Sequence, residues 1–136
     1  MKTLPRDDLA RLLLRVVLAL LMLLHGLSKL RHGAGPILDM VASHGLPAAL
    51  GNLVYVGEIV APLMVLLGVW TRAGALVIAI NMVVAILLVH TGQLLELNKQ
   101  GGWALELQAL YLAGALAIAL LGAGRYSAGG APGKWN

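Results

Sequence analysis

Residues 46–89 read LPAALGNLVYVGEIVAPLMVLLGVW-TR-AGALVIAINMVVAILLV, two apolar runs joined only by Thr71 and Arg72. Spanning the hydrocarbon layer takes about 20 predominantly apolar residues in a helix, because unpaired backbone groups cannot be left in lipid. The runs from about Leu46 to Trp70 and from about Ala73 to Val89 meet that requirement. So short a link folds them into a tight antiparallel helical hairpin. Neither run shows the period-2 alternation of a barrel strand. Pro47 suits the first turn of the earlier helix, Pro62 inside it predicts a kink, and Thr71 is placed to cap the later helix.

Two further spans flank the hairpin, one from about Leu12 to Leu30 and one from about Trp103 to Ala123. Gly33, Gly35 and Pro36 stop the first of these, and Gly101–Gly102 precede the last. The expected fold is all-α: an integral membrane four-helix bundle forming a single transmembrane domain over residues 1–136, with residues 124–136 as a flexible tail. Composition agrees. The 136 residues are 60% hydrophobic and 12% charged, against roughly 45–50% and about 25% for soluble domains. The absence of cysteine rules out disulfides, Fe–S clusters and CxxCH haem attachment. With 4% aromatic residues and no phenylalanine, the chain lacks the stacking surface of a single-stranded nucleic-acid binder. The formal charge of +4 is better read as topology. Lys2, Arg6, Arg11, Arg72, Arg125 and Lys134 fall on one side of the four spans, and Lys29, Arg31 and Lys99 on the other. The positive-inside rule therefore puts both termini in the cytoplasm of a bacterium, the chain lying in its inner membrane. Arg15, one turn into the first span, is expected to snorkel to the inner face. The basic residues before Val16–Leu24, with Gly26 and Ser28 after it, also have the outline of a cleavable signal; retention as the first span is the expected reading.

Ionisable groups inside membrane spans are costly and by default face the bundle interior or a cavity. His25 and Lys29 share a face of the first helix, four residues apart. Asn52, Tyr55 and Glu58 form a polar stripe on the second, Asn81 lies at mid-depth on the third, and Trp103 and Glu106 open the fourth. By depth these residues belong to the outer half, with Glu58 at its floor. Two readings follow. In one, the groups satisfy each other as interhelical bonds, Lys29 with Glu106 and His25 with Glu58. In the other they line a pocket for a small ligand. His90, nine residues beyond Asn81, falls on the opposite helix face and is assigned to the interface or the pocket mouth. His32 and His44 are assigned to a solvated loop. The spacing of the histidines specifies no metal site. Small residues along the fourth span, among them Gly114 and Ala117, favour close helix packing. Trp70, Trp103 and Tyr126 fall at the boundaries, where amphipathic rings prefer the headgroup layer. No nucleophile–base constellation, phosphate-binding glycine loop or metalloprotease motif is present.

The ordered set of these features resembles the DoxX family of small four-helix bacterial membrane proteins, over about residues 12–127. The resemblance rests on His25-Gly26-Leu27-Ser28-Lys29-Leu30, on Glu58, on Thr71-Arg72, on Ala79-Ile80-Asn81-Met82 running to His90, on Gly101-Gly102-Trp103-Ala104-Leu105-Glu106, and on Gly122-Ala123-Gly124-Arg125-Tyr126-Ser127. Ala123 departs from the proline the family pattern carries there. The family takes its name from subunits associated with a quinol oxidase and with thiosulfate oxidation linked to quinone. The resemblance therefore implies a quinone or quinol as ligand, no covalent cofactor, and a role for His25, Lys29, Glu58 and Glu106 in binding it.

The resulting expectation is a quinone-binding or accessory subunit of a membrane redox complex. Its partners would be the lipid bilayer and a redox subunit or a homo-oligomer, with no nucleic acid. A desolvated carboxylate such as Glu58 would exchange protons with a quinol. The competing expectation, to which distant eukaryotic relatives point, is a non-catalytic assembly factor that docks a client membrane protein. A transporter fits less well, because the spans lack paired broken helices.

Overall fold

The computed structural model describes residues 4–136; Lys2, counted above among the inner cations, lies outside them. Among the described residues the chain is helical, its only strand-like pairing being an isolated bridge between Leu97 and Trp103. Helix α1 covers Pro5–His32. It starts with Pro5, whose missing N–H is no loss in a first turn, and with Asp7 and Asp8 at the positive end of the helix dipole. A short helix, α2 (Gly35–Ser43), follows where the sequence suggested only a loop. His32 and His44 flank it and are exposed, as expected.

The second span departs from the continuous helix expected over 46–70. It is built as a 3₁₀ segment (Ala48–Leu53), a π-helical turn (Val56–Val60) and helix α3 (Ala61–Leu67). Pro62 provides the reason. It cannot donate to the Glu58 carbonyl, and just ahead of it the Ala61 N–H bonds Val56 O, five residues back. The kink expected at Pro62 thus takes the form of a wide turn that contains Glu58. Gly68 ends α3 in the left-handed conformation, φ 73°, which suits glycine. Helix α4 (Thr71–Val89) starts directly after Trp70, so the tight hairpin is present. Thr71 does not cap α4, and its own backbone N–H is met from the tail, donating to Asn136 Oδ1 at 3.3 Å. Thr71 Oγ1 donates to the same oxygen at 2.9 Å.

Helix α5 covers Glu106–Leu121, shorter than the 103–123 expected, and leaves Trp103 in the preceding loop. Gly114 packs against Leu18, consistent with the close approach that small residues allow. α1 packs on the second span and α5, and α4 packs on the same two, closing a four-membered ring. The core between them comprises Leu18, Ala19, Met22, Val65, Ile78 and Ile118, among others. Pro5–His32, Ala48–Leu67 and Thr71–Val89 are long and apolar enough to cross a membrane, and α5 is a shorter apolar helix. Their outward leucines, such as Leu13, Leu24, Leu87 and Leu110, are exposed. A water-facing surface would not carry such a belt. The chain is a membrane helical bundle.

Two expectations are corrected at the end of the bundle where the tail docks. Arg15 does not snorkel; it is 1% exposed. Its guanidinium donates to Val65 O, Leu66 O, Ala123 O and Tyr126 O at 2.6–3.1 Å, gathering the carbonyls that end α3 and follow α5. The tail after Gly124 is not a loose end. Ala128 N and Gly129 N donate to Leu67 O and Gly68 O, Arg72 N donates to Trp135 O, and Arg125 N donates to buried Asp8. The unpaired carbonyls of the α3–α4 hairpin draw the tail in.

Candidate functional site

The wide turn at Val56–Val60 carries Glu58 into the bundle, where it is 6% exposed. Its Oε2 accepts from Lys29 Nζ of α1 at 2.6 Å, and its Oε1 lies 3.5 Å from Asn81 Nδ2 of α4. Three spans thus meet at one carboxylate. Two glycines permit the approach. A Cβ on Gly57 would stand 2.5 Å from Asn81 Cγ, and one on Gly26 would collide with the Glu58 main chain. The polar stripe therefore closes on Lys29 and Asn81, and neither pair considered above, Lys29 with Glu106 or His25 with Glu58, forms.

Above this cluster lies a cavity of about 620 Å³, bounded by α1, α2, the second span, α4 and α5. Its walls are mainly apolar, with Met22, Met40, Val41, Leu50, Val54 and Leu88 contributing. Its polar groups are Lys29, Glu58 and Asn81, together with His25, His90, Gln108 and Tyr111. The His25 ring meets the edge of Tyr111 at 5.9 Å between centroids and 87° between planes. The size falls in the range of about 300–1,000 Å³ typical of small-molecule sites, as does the pairing of apolar walls with few polar groups.

The structure thus brings His25, Lys29, Glu58, Asn81 and His90 to one cavity. The other four expected residues lie elsewhere. Asn52 is exposed, and Tyr55 supports the site only indirectly, its hydroxyl donating to Lys29 O at 3.2 Å. Trp103 donates Nε1–H to Leu94 O, and exposed Glu106 accepts from Asn98 Nδ2 at 3.2 Å. Trp103 belongs to the 91–105 loop and Glu106, the first residue of α5, is tied to it through Asn98, whose Oδ1 also accepts from Gln100 N and Gly102 N. His90 reaches the cavity because α4 ends there: as its C-cap, at φ −116°, it leaves the helical register that assigned it to the far face. Gln108 and Tyr111 were missed. Their signal was present, two polar-bearing side chains three residues apart in an otherwise apolar helix, the same pattern that marked Asn52, Tyr55 and Glu58.

Among the described residues no group of three or more His, Asp or Glu side chains is placed to hold a metal ion. The cavity does suit an amphiphile with a small polar head: Lys29, Glu58 and Asn81 on one side and His90 and Gln108 on another offer donors and acceptors, and the apolar walls offer room for a hydrocarbon body.

No curated protein and no solved structure matches the chain. The family model described as DoxX matches residues 10–91, which take in most of α1, the whole broken second span and α4, and with them Lys29, Glu58 and Asn81. With that match over more than half its length, this four-helix membrane protein belongs to the DoxX family.

Proposed function

We propose that the cavity binds an isoprenoid quinone or quinol and that the protein serves as a quinone-binding or accessory subunit of a membrane redox complex. The observation that carries this reading is the Lys29–Glu58 ion pair, 2.6 Å long, set in a mainly apolar cavity between membrane spans. Charges at such a depth are costly and tend to be kept for ligands or protons. A quinone supplies two-electron, two-proton chemistry when bound. The chain's own residues would do the rest. Lys29 and His25 would donate to an oxygen of the head, Glu58 would accept a hydrogen bond at its carboxylate, and the methionine and leucine walls would exclude water. Electrons would come from a partner subunit or through a homo-oligomer, since the chain has no cysteine and no metal cluster among its described residues. The Lys and Arg distribution supports an orientation with both termini in the cytoplasm, the bundle lying in the inner bacterial membrane.

The test is to purify the protein in mild detergent and quantify co-purifying quinones by mass spectrometry. Near-stoichiometric quinone is expected in the wild type. At least a tenfold loss is expected in a His25→Ala, Glu58→Gln double variant, and in Ala85→Phe, which fills the cavity and leaves every polar group in place. Retention no better than bulk lipid in the wild type would sink the reading and favour the assembly factor, to be pursued by crosslinking to a client.

A further inference from the structure

At the α4–α5 side of the cavity lies a hydrogen-bond chain that the ion pair does not account for. His90 Nδ1 is 2.9 Å from Gln93 Oε1. A carboxamide oxygen can only accept, so Nδ1 carries the ring proton. Nε2 of this neutral imidazole is then an acceptor, and it takes an N–H from Gln108 Nε2 at 3.2 Å. That bond orients the Gln108 carboxamide, with its nitrogen on His90 and its oxygen left over. Gln108 Oε1 is buried and has no hydrogen-bond partner. Among the described residues only Arg11 Nε shares this condition, and it lies near the other end of α1. A buried acceptor with no donor carries its whole desolvation penalty until a donor arrives. Gln108 lines the cavity, so a bound ligand is the natural donor.

Resting on the quinone reading above, we propose that Gln108, oriented by His90 and Gln93, accepts a hydrogen bond from a hydroxyl of the ligand, so that the cavity selects the reduced, hydroxyl-bearing form. A hydroquinone O–H completes the Gln108 oxygen. A quinone carbonyl at the same place sets acceptor against acceptor. The remaining polar groups discriminate less. Lys29 has N–H bonds beyond the one given to Glu58, and the Tyr111 hydroxyl both donates and accepts, so each serves either form. Glu58, whose Oε1 is only lightly held by Asn81 at 3.5 Å, adds a second acceptor and a further preference for the hydroxyl form.

The experiment uses the full chain in nanodiscs of phosphatidylethanolamine and phosphatidylglycerol, with empty nanodiscs correcting for partition. Binding of a short-chain ubiquinol under anaerobic reduction and of the matching ubiquinone is measured by equilibrium dialysis. Wild type is expected to bind the quinol about tenfold more tightly, the factor one net hydrogen bond supplies. Gln108→Met, similar in length and without the oxygen, should bring the ratio close to one by weakening quinol alone. Gln93→Met, in the exposed 91–93 turn outside the cavity, releases the tautomer and should shrink the preference while leaving the fold intact. Equal binding of both forms by the wild type, tighter quinone binding, or a ratio unmoved by Gln108→Met would overturn this inference and leave the quinone site standing. Binding of neither form would overturn both.

Discussion

Arg15 and Lys29 are cations on one helix, 14 positions apart in number, and their surroundings give them different work. Lys29 meets a carboxylate in the cavity. Arg15 meets backbone carbonyls only, four of them, at the ends of two helices. The planar guanidinium suits that task, because its five N–H groups diverge in a fixed fork. Each such charge-assisted bond contributes on the order of 1.5–3 kcal/mol, and removing the donor leaves buried carbonyls unpaired. Arg15→Met is therefore expected to cost at least about 3 kcal/mol. Arg15→Lys should recover less than half of that, because one ammonium cannot reach four diverging oxygens. Reversible unfolding of the purified variants in detergent measures both. An Arg15→Met protein as stable as wild type would show that snorkelling, not helix-end capping, describes this residue.

Among the elements, the second span decides the site. A regular helix through Glu58 would offer one stripe at a constant angle; the π turn widens it just where Gly57 lets Asn81 come close. Gly57→Ala puts a methyl group 2.5 Å from Asn81 Cγ. Overpacking of this kind costs about 1–3 kcal/mol, and it should also loosen the hold of Asn81 on Glu58, with less quinone retained on purification. Gly92→Ala is the control: a Cβ there meets nothing within 4 Å, and a change within about 0.5 kcal/mol is expected. Thermal melts of the pair, run beside quinone quantification, give the comparison. Equal melting temperatures would mean that α4 shifts freely and that the glycine is not what admits Asn81.

For the whole molecule, the orientation in the membrane is open to direct test. The chain has no cysteine, so single-cysteine variants need no background removal. Leu95→Cys, at a position 99% exposed in the 91–105 loop, should react with an impermeant maleimide in intact spheroplasts. Ala131→Cys, in the exposed tail at the opposite end of the bundle, should react only after lysis. The reverse pattern would invert the proposed topology and place the cavity at the cytoplasmic half. Either result leaves the bundle itself unchanged, because the docked tail, Arg15 and the Asp8 contacts to Arg11 and Arg125 hold that end together from within.

The number of spans, their apolar character, the hairpin at Thr71–Arg72 and the residues marking a polar interior were all legible in the sequence, because hydropathy and chain length act locally. His25, Lys29, Glu58 and Asn81 were found on that basis, as charged or amide groups that lipid cannot solvate. Their partners were not legible. Whether Lys29 meets Glu58 or Glu106 depends on helix rotation and depth, which no local pattern encodes, and the π turn before Pro62 changes both. Trp103 and Glu106 dropped out because α5 begins at Glu106 and not three residues earlier. Gln108 joined His90 because two chain segments 18 residues apart return to one cavity. Local composition assigned the bundle to the membrane, while only the packing of four helices around a widened turn decided which side chains share a pocket.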